Sequence, residues 1–449
     1  MTARRVSVWE LAAFALPAAP LLALTLPTVI FLPPYYATHL GLPLWAVSAI
    51  FVGARVFDIV IDPGLGAMQD QTKTRWGRRR VWIVGTTPFL MGAIWWVFIG
   101  LAPGAGIATA GAATFALYFF FAVMFVAHLG WAGEIIPTYH GRTHALGAVQ
   151  VASLAGQVLM LVIGAVVAQG QHGNDARAVA AMGWTLFAML PITVAIAVFG
   201  ARETPTPPQP NMKLGDALRT LAANEMARRV LLPDLLLGVA QGVSGGLFLF
   251  YFQYVLGFAR ESQALVAIYF IAGFIGVPIW WLVARRFGKD RALQASLLYS
   301  ALTMLPLLVL QHGGFAIAAG LMIIAGLAQG GNILLTRALM ADVVDEDELQ
   351  TNMRRSGLYF GLLQMTSKTG LAAGPLCLVV LQLFGFEAGL GPRNSETALA
   401  ALSVLFIGVP ILLFVLAAIS LRKYPLDEAR QAALAAAISA RHAQNSENT

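Results

Sequence analysis

Twelve apolar stretches recur along the chain, at about 8–38, 43–66, 80–102, 108–137, 144–170, 178–201, 229–257, 263–286, 292–311, 314–343, 355–386 and 396–421. A helix rises about 1.5 Å per residue, so roughly 20 apolar residues cross a hydrocarbon layer about 30 Å thick. Inside such a layer every backbone N–H and C=O has to be satisfied within the segment. The pattern therefore predicts an all-α polytopic membrane protein with twelve transmembrane helices. Hydrophobic residues make up 58% of the chain and charged residues 11%, against roughly 25% charged in soluble domains. The first stretch follows Arg4 and Arg5 as a signal peptide would. Its apolar run is too long for one and shows no cleavage site, so it reads as a retained span.

Basic residues orient the spans, because cytoplasmic loops collect Lys and Arg. Lys73, Arg75, Arg78, Arg79 and Arg80 separate spans 2 and 3, Arg142 follows span 4, and Lys213, Arg219, Arg228 and Arg229 separate spans 6 and 7. Arg285, Arg286, Lys289 and Arg291 separate spans 8 and 9, Arg354 and Arg355 separate spans 10 and 11, and Arg422 and Lys423 follow span 12. The opposite side holds only Arg177, Arg260 and Arg393. Both termini are expected on the cytoplasmic side. The net charge of +7 follows from this asymmetry, so a nucleic-acid partner is not expected, while the lipid bilayer is. The single cysteine, Cys377, excludes an intramolecular disulfide or a multi-cysteine metal site.

The longest polar interruption, around 202–228, holds Pro205, Pro207, Pro208 and Pro210 and then KLGDALRTLAANEMARR, an extended linker followed by a short amphipathic helix. It divides the chain into an N-terminal half at 1–201, the linker at 202–228, a C-terminal half at 229–421 and a cytoplasmic tail at 422–449. A faint internal echo supports the division: GAMQD and GRRR after span 2 answer ARRFGKDR after span 8.

Charge inside a span is costly and usually functional. Span 2 carries Arg55, Asp58 and Asp62 in the run RVFDIVIDP. At about 100° per residue the three fall within roughly 60° of arc, on one face of a helix. Two acids one turn apart in low dielectric resist being ionised together, so they favour a proton or a metal cation between them. Arg55 and Lys368, in the span 11 run QMTSKTG, are the counter-charges at hand.

The segment RVFDIVIDPGLGAMQDQTKTRWGRRRVW resembles the signature of the glycoside-pentoside-hexuronide:cation symporters, the melibiose permease-like branch of the major facilitator superfamily. HLGWAGEIIPTYHGRTHALG and ADVVDEDELQTNMRRSGLYFG match two further motifs of that family in order, so the resemblance spans the chain. It implies a major facilitator fold of two six-helix halves in the bacterial inner (plasma) membrane. It also implies a monomeric symporter of a small-molecule substrate such as a sugar, glycoside or uronate, coupled to H+ or Na+ and carrying no cofactor. Asp58 and Asp62 would bind the cation, with Lys368 facing them from span 11. Asp70, Arg78, Arg79, Arg80, Glu134, Arg142, Asp342 and Arg355 fall where a cytoplasmic gate of charges is expected.

Departures from the family pattern bear on the substrate and the ion. Leu22, Phe125 and Val149 stand where the melibiose permease has its sugar-binding charges. The polar candidates that remain for a central cavity are Tyr35, Tyr36, His128, Trp131, Gln150, Ser153, Gln157, Gln241, Ser244, Gln329, Asn332 and Gln364. Ile61 and Ala122 replace oxygen donors that complete the site in sodium-using relatives. That favours a proton, with sodium at Asp58 and Asp62 as the alternative. Other readings are an exporter, or a lysolipid or other amphipathic-solute carrier, on the same fold. A membrane-embedded enzyme is disfavoured, since no HExxH or P-loop occurs.

Overall fold

Helices carry the chain throughout the computed structural model, which describes residues 7–72, 74–135, 139–169, 175–202, 224–310, 314–351 and 356–422. The first, α1 (Val8–Thr38), is interrupted where its prolines fall, with a turn at Leu16 and Pro17 and a π-helical stretch over Pro27–Phe31. A proline supplies no N–H and its ring crowds the preceding turn, so the ladder breaks there. Five more helices follow: α2 (Leu44–Gln71), α3 (Arg80–Gly100), α4 (Ile107–Ile135), α5 (Tyr139–Gln169) and α6 (Asp175–Gly200). The next are α7 (Glu225–Val255), α8 (Ser262–Phe287), α9 (Lys289–Met304) and α10 (Phe315–Thr351). The last are α11, in the two parts Ser356–Leu371 and Ala373–Leu383, and α12 (Glu396–Ser420).

Every predicted span has its helix, and among the described residues 11 are long and apolar enough to cross a membrane. The exception is α9, which stops at Met304 and continues as a 3-10 turn over Leu305–Leu308. Pro306 cannot donate to the helix, and this ends it short of the expected 311. In contrast α10 runs past the expected end at 343 to reach 37 residues, roughly 55 Å. No glycine or proline follows Gly331 within it, so the acidic run DVVDEDELQT stays helical.

The described residues group into two compact units. One comprises 1–211, 245–267 and 374–402, the other 212–244, 268–373 and 403–449. In the first, Phe14 of α1 stacks on His128 of α4 and meets Trp131 edge-on, and Gln69 of α2 donates to the Val123 carbonyl of α4 at 2.8 Å. In the second, Leu231, Leu237, Leu297, Leu335, Leu339, Tyr359 and Phe414 build a buried core from α7, α9, α10, α11 and α12. Lipid is as apolar as leucine, so close packing and small residues hold such helices together. At Gly276 the α8 backbone lies so near α10 that an added Cβ would stand 1.9 Å from the Leu327 carbonyl oxygen. Trp280, one turn on, donates its Nε1–H to that same carbonyl at 3.0 Å.

Candidate transport site

The helix α2 is unbroken from Leu44 to Gln71, so Arg55, Asp58 and Asp62 share one face as the spacing requires. Asp58 is fully buried, Arg55 is 9% exposed, and Asp62 is half-buried. Arg55 holds its guanidinium over the Tyr118 ring of α4, 5.1 Å from the centroid. It lines a small cavity with Leu24, Thr25 and Thr28 of α1 and Leu117, Tyr118 and Phe121 of α4. The Arg55 charge therefore lies against α1 and α4. On the next turn Leu65 packs with Ala122 and Val123 of α4, and Ile61 and Trp82 close over them. The two positions that lack the expected oxygen donors, Ile61 and Ala122, thus belong to one apolar cluster.

At the basic end of the same unit, Arg79 forms an ion pair with Asp70 and reaches Gln69 Oε1 at 3.4 Å. Arg78 extends towards the Asp70 carbonyl, and Arg80 lies over the Trp131 ring at 5.4 Å. In the second unit Asp342 of α10 is held by Lys289, with Nζ 2.6 and 2.9 Å from its two oxygens. Lys289 belongs to the ARRFGKDR run, but its carboxylate comes from α10, whereas Asp70 and Arg79 pair within the stretch that joins α2 to α3. Of the remaining gate candidates, Arg355 and the side chains of Glu134 and Arg142 lie outside the described residues.

The cavity candidates divide into two groups. His128 is buried with Nε2 2.9 Å from the Phe14 carbonyl, which fixes that nitrogen as a donor tying α4 to α1. Trp131 is buried beside it. The Tyr36 hydroxyl bonds Thr114 at 2.8 Å between α1 and α4, Tyr35 stacks on His39, and Ser153 turns back onto the Val149 carbonyl of its own helix. His128 and Tyr36 thus tie α1 to α4, Tyr35 and Ser153 contact their own helices, and the Trp131 indole N–H is buried without a hydrogen bond among the described residues. Gln150 and Gln364 are exposed and Gln157 is half-buried. Gln241, Gln329 and Asn332, from α7 and α10, converge with Tyr269, Ser300 and Thr303 on a single cavity of about 10 Å³, room for about one water. Asn332 donates to Ser300 at 3.0 Å, while its Oδ1 and the Gln329 Oε1 are buried acceptors with no donor among the described residues. The Ser244 hydroxyl on α7 is also buried without a hydrogen bond among the described residues. Unfilled acceptors of this kind call for hydroxyl or water donors.

One cluster escaped the sequence reading. Asp234 of α7 is 6% exposed and accepts hydrogen bonds from Thr366 Oγ1 at 2.6 Å and Ser367 Oγ at 2.9 Å, both on α11. Arg337 of α10 adds its charge to the same surroundings. The two helices touch backbone to backbone one turn further on, where a Cβ at Gly370 would stand 2.6 Å from Gly238. Lys368, 7% exposed, follows Ser367 directly. The signal was present as an acid in the apolar run LLPDLLLG, the same signal that singled out Asp58.

Comparison with known proteins places this geometry. The family model described as MFS/sugar transport protein matches residues 13–428. The sodium-dependent lysophosphatidylcholine symporter 1-A of Danio rerio is 22% identical, over 95% of this chain and 87% of its own. The putative glycoside/cation symporter YagG of Escherichia coli is 24% identical, over 91% of this chain and 89% of its own. Among solved structures, a bacterial homologue of the human lysosomal transporter Spinster shares the fold with a TM-score of 0.66 at 15% identity, over 94% of this chain and all of that one. The match across nearly the whole length, on an all-helical frame with charge buried in its spans, makes the chain a member of the MFS/sugar transport protein family, an integral membrane transporter of the major facilitator superfamily and not an enzyme.

Proposed function

We propose that the protein is a secondary active symporter that couples uptake of a small hydroxylated solute, such as a sugar, glycoside or uronate, to a cation held at Asp58 and Asp62. The observation that carries this reading is the burial of Asp58 and Arg55 on one α2 face, since charge inside a span is expensive and is usually kept for function. The relatives named as a sodium-dependent lysophosphatidylcholine symporter in Danio rerio and a putative glycoside/cation symporter in Escherichia coli support it. The apolar packing of Ile61 and Ala122 favours a proton over sodium, because a sodium ion must recover its lost hydration from several oxygens while a proton needs one carboxylate. Binding the proton removes a negative charge from the α2 face and lowers the cost of moving that face past an apolar constriction. A membrane potential of 100 mV adds about 2.3 kcal/mol for each charge carried across.

In this reading the halves 1–201 and 229–421 alternate access, and Lys368 answers the α2 carboxylates. The buried acceptors of Gln329 and Asn332, with Gln241 and Ser244, are the groups assigned to the hydroxyls of the solute, and the small cavity at Gln241, Gln329 and Asn332 has to widen to admit it. Both termini lie in the cytoplasm, the membrane is the bacterial inner membrane, and the working unit is a monomer. A second reading, an amphipathic lysolipid as cargo, is favoured by the Danio rerio relative. Uptake into sealed vesicles separates the two. Accumulation of a glycoside or uronate under an imposed pH gradient is expected. Accumulation of a lysolipid alone supports the second reading, and no gradient-dependent uptake of either class overturns symport.

A further inference from the structure

A groove of about 700 Å³ runs along the first unit between α3 and α6, within the roughly 300–1,000 Å³ typical of ligand sites. Its walls are apolar: Val84, Pro88 and Met91 on one side, and Pro191, Val194 and Phe199 on the other. Thr87, which also lines it, spends its hydroxyl on the Ile83 carbonyl at 2.8 Å, so the wall offers no hydroxyl donor there. Charge gathers only at the mouth, where Arg75 and Arg80 stand with the indole of Trp76, and the lining includes no carboxylate. Phe199 is 90% exposed and Trp76 58% exposed, as groups facing lipid would be.

Dimensions and charge together name an occupant. From Arg80 to Met91 the α3 wall rises about 16 Å, roughly half of a 30 Å hydrocarbon core and so one leaflet deep. The mouth belongs to the basic loop after α2, which the distribution of Lys and Arg assigns to the cytoplasmic side, where the leaflet carries anionic lipids. An indole at that level suits the membrane interface. An apolar slot with the exposed Arg75 guanidinium at its interfacial end has the complementarity of one lipid molecule, with the phosphate at Arg75 and an acyl chain along Val84, Met91 and Phe199. We propose that this groove is a binding site for an anionic glycerophospholipid of the cytoplasmic leaflet, distinct from the α2 carboxylates.

The purified full-length protein, stripped of lipid in an uncharged detergent, is titrated with phosphatidylglycerol, with phosphatidylcholine of the same chains, and with water-soluble glycerophosphoglycerol. Bound lipid is read by native mass spectrometry and by the thermal unfolding midpoint. Phosphatidylglycerol should bind at least about fivefold more tightly than phosphatidylcholine, the preference one arginine near the headgroups provides. The soluble headgroup should have no effect, because the chain occupies the groove. Arg75→Gln should remove most of the preference, and Ala195→Trp, which fills the slot from an exposed position, should weaken both lipids. If Ala195→Trp fails to fold, Val198→Phe takes its place. Equal binding of the two lipids by the wild type would overturn the site. So would a preference unchanged in both kinds of variant, stabilisation by the soluble headgroup alone, or a lipid-free dimer that the filling variant dissolves.

Discussion

Thr366 of α11 donates its hydroxyl to Asp234 of α7 at 2.6 Å, and Ser367 donates to the same carboxylate oxygen at 2.9 Å. The next residue is Lys368, so the α11 turn that presents this lysine is anchored to α7 by a buried acid. Thr366→Val removes one donor and should lower stability by about 1 kcal/mol, the usual net value of such a bond. Asp234→Ala leaves the positive charge of Arg337 without this carboxylate and should cost about 3 kcal/mol or more. Unfolding in detergent, followed by denaturant or temperature, checks both. Equal effects of the two substitutions would show that the acid is not the centre of the cluster.

The α2 carboxylates should carry the coupling. Substrate-driven alkalinisation outside vesicles bearing the wild type is expected, and Asp58→Asn and Asp62→Asn should each abolish it while leaving the protein in the membrane. Uptake that requires sodium and ignores an imposed pH gradient would refute proton coupling.

Lys368→Ala should remove accumulation against a gradient far more than it reduces expression. Counterflow of labelled solute down its gradient is the second measurement, since it needs substrate binding but no net ion movement. An alanine variant that concentrates solute as well as the wild type would rule out the role.

The ion pair of Asp70 and Arg79 should help to close the cytoplasmic side. In Asp70→Asn a cysteine introduced in the cytoplasmic half of the cavity should react faster with a soluble maleimide than in the parent. An unchanged rate would leave the pair as a local tie between the end of α2 and the start of α3.

At Gly276 even a methyl group should be felt, because the Leu327 carbonyl would lie 1.9 Å from it. Gly276→Ala should cost about 1–3 kcal/mol as α8 and α10 are forced apart, and the Trp280 bond to Leu327 should weaken with it. Tryptophan fluorescence and the unfolding midpoint report the two effects. A midpoint identical to the parent would mean that the helices slide without loss.

The helices of this protein were legible in its sequence because crossing a hydrocarbon layer is a one-dimensional requirement: enough consecutive apolar residues, with the backbone satisfied inside each segment. The shared face of Arg55, Asp58 and Asp62 was legible too, since helical spacing alone determines it. What the spacing left open was which partner each buried polar group takes. His128 and Tyr36 read as cavity residues, yet the fold gives them to Phe14 and Thr114 as ties between α1 and α4, while Gln241, Gln329 and Asn332 come together on one cavity. Asp234 carried the same signal as Asp58, but its meaning lies in Thr366 and Ser367, more than 130 residues away along the chain. A polar side chain in a span must find a partner, and the sequence states that need. The rotation and approach of neighbouring helices, decided by contacts as close as Gly276 against Leu327 and Gly370 against Gly238, choose the partner.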